Sequence, residues 1–445
     1  MQRRWWAGGF FGPEQIEHAL ARAQAGPRWL RHAHVATAAI WMVLACGPTS
    51  VVEFGGAALG VATIARLPWV WRAVLVGFAH PVMLAIAAWC GFRALSLAWS
   101  TDAGQGLDQI GAMRFAWSVP LLVPVAPAAG RLALAVAAGF ALGNLSQVSH
   151  GLSRAGIGWL PEWNRLPSRN SGWWDPVVGG TLLCAALGLH AGAALRARGR
   201  LRSVALAGVV ASLAAIVATG TRGAWLAAAA VVVLAAGAKV VLSLRGGAAP
   251  RRGLFVGAVA GVLVVAGLAP VAAPRAQEAY SELAAIVRDG DYSSFTGARL
   301  LMMWWSLEAF AEHPLAGTGE GGYRAWCEAN LRARGVDPAE RHVGAHPHTT
   351  YLQPLGATGI VGAALFVVVL VAVGVAGWRA RGSADPYASG TAWALLGLFV
   401  AGVFDPVHVN AQTAAMWMVL TGLAVGTSLQ QVAERQRLVR GDVNG

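Results

Sequence analysis

Charge is scarce in this chain. Asp, Glu, Lys and Arg make up 12% of its 445 residues, about half the share found in soluble globular proteins. A water-soluble enzyme of several domains is excluded on that ground. Disorder is excluded as well, because 56% of the residues are hydrophobic and a disordered chain needs few of them. Lysine is nearly missing, with Lys239 the one example. Cysteine is equally sparse. Cys46, Cys90 and Cys184 sit in apolar runs and Cys327 stands alone in a polar segment, so no pair has the spacing of a metal site or an obvious disulfide. The opening MQRRWWAGGFFGPEQ lacks the short apolar core of a cleavable signal peptide, and the first long apolar run begins near His34. That run is expected to act as an uncleaved anchor.

What remains is an all-α polytopic membrane protein. A spanning helix takes about 20 mostly apolar residues. Apolar runs bounded by Arg, Pro or Gly predict twelve spans, near 34–49, 51–65, 73–98, 113–128, 131–148, 175–194, 203–220, 223–243, 254–272, 351–377, 387–404 and 412–428. The domain reading follows: a cytoplasmic segment 1–33, spans 1–9 within 34–272, a periplasmic helical loop 273–350, spans 10–12 within 351–428, and a cytoplasmic tail 429–445.

The net charge of +13 invites a nucleic-acid reading, but basic residues of membrane proteins gather in cytoplasmic loops. With both ends inside, the inside segments hold Arg3, Arg4, Arg22, Arg28 and Arg31, then Arg66 and Arg72, then Arg196, Arg198, Arg200 and Arg202, and finally Arg379, Arg381, Arg435, Arg437 and Arg440. The orientation is consistent, and no nucleic-acid partner is expected.

Two outside segments carry the polar chemistry, one near 149–174 and a longer one near 273–350. In the second, Ala276–Arg288 reads as an amphipathic helix ended by Asp289-Gly290-Asp291, and Arg299–Glu312 as a second helix that lies in the interface. A transporter would place ionisable residues within its spans. Here only Glu53, His80 and His190 do so, and the two histidines read as locally satisfied. The densest polar cluster is Arg341-His342-Val343-Gly344-Ala345-His346-Pro347-His348-Thr349, just before the tenth span. Its histidines are numerous enough for zinc, yet Pro347 stiffens the pair and no cysteine is near, so no metal is expected. A histidine titrates near 6.5 without special help and suits a general base. Arg222, in Thr219-Gly220-Thr221-Arg222-Gly223, and Arg299, read as opening its helix, stand where a helix N-terminus favours anions. Each is a candidate phosphate grip; snorkelling to lipid headgroups is the alternative.

These residues together resemble a family. His348-Thr349, nine residues, then Gly359-Ile360-Val361-Gly362 is similar to the O-antigen ligase signature, and His346-Pro347-His348 with Tyr351-Leu352 resembles its HxHNxYL run. Pro314-Leu315-Ala316-Gly317-Thr318-Gly319 resembles its P-x-x-G-x-G loop, Thr221-Arg222-Gly223 its Ser-Arg-Gly turn, and Arg169-Asn170-Ser171-Gly172-Trp173 its R-x-S-G-aromatic segment. Trp99-Ser100 sits where a W-S pair is common. Thr349 and Thr221 depart from the usual residues but keep a hydrogen-bonding group. The ordered set spans the third to the tenth predicted span.

The resemblance implies a GT-C-class glycosyltransferase of the ligase/polymerase superfamily at the periplasmic face of a bacterial inner membrane. Such a transferase moves a glycan from undecaprenyl pyrophosphate to the lipid A–core oligosaccharide without metal, nucleotide sugar or other cofactor. It implies His348 as base and His346 as its orienting neighbour. Arg222, Arg299 and Arg169 would meet the pyrophosphate charge. Asp405, at the outer end of the penultimate span, would hold an arginine, orient the histidine, or cap the span. The O-antigen polymerase and the protein O-oligosaccharyltransferase share the donor; the second outside segment is about three times the first, which favours ligase. A non-enzymatic lipid or glycan transporter is the alternative of another class.

Overall fold

The computed structural model describes residues 9–154, 156, 170, 172–245, 273–338 and 343–441, and they are helical with no strand. The helices are α1 Pro13–Ala23, α2 Arg28–Leu44, α3 Thr49–Ala65, α4 Leu67–Phe78, α5 Pro81–Ser96 and α6 Ala103–Gly111. There follow α7 Ala129–Arg154, α8 Pro176–Arg196, α9 Gly199–Ala218, α10 Arg222–Arg245, α11 at 273–289, α12 Phe295–Glu312, α13 Tyr323–Ala333, α14 Leu352–Ala380, α15 Pro386–Ala401 and α16 Ala411–Arg440.

Among the described residues, six helical stretches are long and apolar enough to cross a membrane, seven if α3 and α4, bent by 119°, count as one span. The chain is a polytopic helical membrane protein on this count. Several predicted spans find their helices within a few residues, among them α8, α9, α10 and α14. The predicted span 254–272 lies outside the described residues. Two others differ. The run predicted at 73–98 is broken after Phe78, because Pro81 starts a new helix and the His80 ring accepts from the Val82 amide (3.3 Å) as its cap. The run at 113–128 is a chain of short helical turns, in which Pro120, Pro124 and Pro127 each remove an amide donor.

Punctuation explains the regular helices. Asp175, Asp385 and Asn410 each cap a helix by accepting backbone amides, and the first two precede a proline that suits the opening position. The centre of the bundle is α8, nearly all of it buried. It lies against α15 so closely that a side chain at Gly188 or Gly192 would meet Trp393. This is the small-residue contact that membrane helices use in place of a hydrophobic drive. Glu53 sits at the outer edge of α3 and pairs with Arg114, while His190 meets the Tyr387 hydroxyl (3.4 Å). At one end of the bundle, Arg437 and Arg440 of α16 pair with Glu17 of α1, so the two terminal helices share that end.

α14 contains the feature that shapes the site. Gly359 takes φ +62° and ψ −162° inside it, a conformation open to glycine. The amides of Ile360 and Val361 then leave the helical ladder and donate to the carbonyls of Pro314 (2.8 Å) and Leu315 (3.4 Å). The G-x-x-G of one motif and the P-x-x-G-x-G of another are therefore two halves of a single joint.

Candidate active site

The histidine loop before α14 is stitched to the loop after α15. The Thr350 amide donates to the Gly402 carbonyl (2.7 Å), its hydroxyl donates to the Asp405 carbonyl (2.8 Å), and the Val407 amide donates back to that hydroxyl (2.9 Å). From the other side, Ser306 of α12 donates to the Leu352 carbonyl (2.8 Å), and the Gly344 amide meets the Met302 sulfur (3.2 Å). α12 is thereby pressed against the start of α14, which brings Arg299 to the histidines.

The result is a cavity of about 550 Å³ whose wall includes Arg299, His346, His348 and Asp405. Four residues read from three separate stretches of sequence line one space. The His346 and His348 rings stand edge to face with centroids 4.6 Å apart. His348 has φ +53°, the one non-glycine residue with positive φ among those described. Such strain persists only where surrounding contacts hold it, and it concentrates at functional sites.

The electrostatics are set by burial. Asp405 is buried, and burial pushes its carboxyl up to about 6 although Arg299 pulls the other way; Asp175 adds to the rise. The Thr181 hydroxyl reaches one of its oxygens at 3.4 Å. Burial, with the Arg299 charge beside it, pushes the His346 imidazole down to about 4, so it is neutral at pH 7. Burial also lowers Arg299, against the attraction of Asp405 and Asp175. Its guanidinium makes no hydrogen bond or ion pair among the described residues, so its donors face the cavity uncommitted.

Arg222 is placed differently. Its guanidinium grips Glu282 through two bonds (2.7 and 3.3 Å), reaches Glu278 at 2.9 Å, and donates to the Thr296 hydroxyl at 3.0 Å. It lies within electrostatic range of Arg299, but carboxylates of α11 occupy its donors. Arg169 lies outside the described residues. One local expectation is corrected. Arg299 does not open its helix, because α12 begins four residues earlier, where Ser294 accepts from the Gly297 amide (3.0 Å). Its value to an anion is its own charge rather than the helix terminus.

Sequence reasoning missed several residues of the wall: Gln105, Asp108 and Gln109 of α6, with Asp175 and Asn410. The last two were readable as caps, standing just before Pro176 and Ala411. It also missed the pair that holds the Gly-rich loop. Arg93 bonds Glu320 through two contacts (3.0 and 2.7 Å), with both side chains fully buried, and the Glu320 amide donates to Ser96 (3.0 Å).

The arrangement offers two adjacent imidazoles, an uncommitted guanidinium and a carboxyl that burial raises. That set can take a proton from a hydroxyl while a departing anion is stabilised. No curated protein matches the chain. Residues 207–367 match the family model described as O-antigen ligase, a stretch that takes in Arg222, Arg299, His346 and His348 and stops short of Asp405. Over that stretch the chain carries the O-antigen ligase family domain.

Proposed function

We propose that this protein is an O-antigen ligase, which transfers a glycan from undecaprenyl pyrophosphate to a hydroxyl of the lipid A–core oligosaccharide. The transfer takes place at the periplasmic face of a bacterial inner membrane. The observation that carries the reading is the meeting of His348, His346, Arg299 and Asp405 in one cavity, inside and beside the matched domain.

In this reading the acceptor oxygen attacks the anomeric carbon as the bond from that carbon to the pyrophosphate oxygen breaks. His348 takes the hydroxyl proton, and the glycosidic bond replaces the phosphate ester in one inverting displacement. The leaving pyrophosphate carries concentrated negative charge, which Arg299 meets directly. Arg222 joins it once the glutamates of α11 give way, and Arg169 is a third cation for the same charge. Asp405 offsets Arg299, whose positive charge otherwise opposes the imidazolium that forms on His348. His346, neutral and edge-on, fixes the ring. The donor's polyprenyl chain lies among membrane lipids between spans. Termini in the cytoplasm, a GT-C architecture and twelve spans belong to the same proposal.

The test is lipopolysaccharide profiling in a ligase-deleted strain complemented with wild type, His348→Ala, Arg222→Ala and Arg299→Ala, each at equal membrane level. Wild type is expected to restore the polysaccharide ladder. His348→Ala is expected to lose it while lipid-linked glycan accumulates. A full ladder from His348→Ala would sink the base assignment. Restoration only in a polymerase-deleted strain would transfer the reading to the polymerase.

A further inference from the structure

The Gly-rich loop and the Trp99-Ser100 pair lie away from the reacting groups, yet each makes close contacts. Gly106 of α6 meets the Glu320 carbonyl with no room for a Cβ, and Gly321, at φ +88°, meets the Asp102 carbonyl in the same way. Trp99 donates to the Ala316 carbonyl (3.3 Å). With the buried Arg93–Glu320 pair behind it, this loop is a seat for α6. α6 in turn forms one wall of the His348 cavity.

The polar groups of that cavity sort themselves by commitment. Asp175 accepts the Val177 amide (2.8 Å) and Asn410 the Gln412 amide (3.0 Å), both as helix caps. Gln109 donates to the Ala345 carbonyl (3.1 Å) and accepts from Gln353 (3.2 Å). Two side chains of α6 are left. The Gln105 amide oxygen is buried with no hydrogen-bond partner among the described residues. The exposed Asp108 carboxylate makes no hydrogen bond or ion pair among them either. They are three residues apart and share one face of the helix.

We infer that Gln105 and Asp108 form a sugar subsite for a glycan that enters the cavity beside His348, the Asp108 carboxylate accepting from a sugar hydroxyl and the Gln105 amide N–H donating to a sugar oxygen. The inference rests on the proposed function and deepens it. A carboxylate beside an amide N–H suits sugar hydroxyls, which both donate and accept, and an acidic side chain repels a pyrophosphate. The Gln105 amide oxygen is closed off inside the wall, so the amide presents its uncommitted N–H to the cavity beside the Asp108 carboxylate.

The glycan belongs either to the donor or to the acceptor, and binding separates the two. Full-length protein in nanodiscs is titrated with sugar-free undecaprenyl pyrophosphate, with the same lipid carrying its oligosaccharide, and with lipid A–core oligosaccharide. Gln105→Ala combined with Asp108→Ala is expected to weaken one of the two glycans by about tenfold, roughly the worth of one or two hydrogen bonds. The sugar-free lipid should bind as it does to wild type, and the glycan that weakens names the source. Asp108→Asn, which keeps an acceptor oxygen, should retain most of the affinity. Unchanged binding of both glycans by the double variant overturns the subsite, as does equal weakening of all three ligands. A wild type that binds no polyprenyl pyrophosphate and transfers nothing overturns the proposed function, and the subsite with it.

Discussion

The His348 ring stands edge-on to His346 at 4.6 Å, and it does so from a backbone turned to φ +53°. The orientation of the candidate base is thus fixed by the chain as well as by its neighbour. Asparagine tolerates this left-handed region better than alanine does. His348→Asn should therefore keep the melting temperature of wild type, while His348→Ala lowers it slightly. Both should lose transfer by about 10²–10⁴-fold, the usual reach of a positioned base. Thermal unfolding and single-turnover rates, measured together, separate the backbone effect from the proton effect.

Arg222 and Arg299 should respond differently to neutral substitution. Arg299 has uncommitted donors, so Arg299→Ala should cut transfer by about 10²-fold or more, in line with losing one fixed charge donor. Arg222 spends its donors on Glu278 and Glu282. Glu282→Gln should lower the donor KM by about threefold, because the donor no longer displaces a carboxylate. A raised donor KM in Glu282→Gln would show that the glutamate supports the arginine instead.

The pH dependence follows from Asp405, whose carboxyl burial raises to about 6. Above that pH it is ionised and offsets Arg299. As the pH falls through about 6 it gains a proton, Arg299 stands uncompensated, and His348 becomes a weaker base. Transfer should therefore decline on the acid side with a midpoint near 6. Asp405→Asn should be slow at every pH and lack that limb. A limb that survives the substitution belongs to another group.

The buried Arg93–Glu320 pair should be costly to break from one side. Removing either partner leaves a charge buried without its counterpart, at about 3–5 kcal/mol. Arg93→Met with Glu320→Leu should recover most of that stability, since well-packed apolar residues replace buried pairs at little cost. Denaturation of the two single variants and the double variant measures the coupling directly.

The parts of this molecule legible in its sequence are those written in short range. Prolines, arginines and capping residues bracket α8, α9 and α10, and the histidine run announces itself before α14. Four things were not written locally. The break at His80 depends on how a proline competes with an apolar run that otherwise continues. The start of α12 at Ser294 moved Arg299 off the helix terminus. The Arg93–Glu320 bond joins residues 227 apart in sequence, and the wall formed by α6 looks in sequence like an ordinary polar link. Periodicity reports which face of a helix is apolar; it carries no information about which distant loop that helix will rest on.

The joint at Gly359 has a consequence for building chimeras. Because the amides of Ile360 and Val361 donate to Pro314 and Leu315, the loop and the broken helix are built to go together. A graft of the histidine motif alone into a relative would arrive with unanswered amides, and a graft of the loop alone with unanswered carbonyls. A portion exchanged as a piece must therefore carry Pro314, Leu315 and the Gly359 break together, and the new host must supply partners for Thr350 and Glu320 and a bare backbone at Gly106 for α6 to lie against.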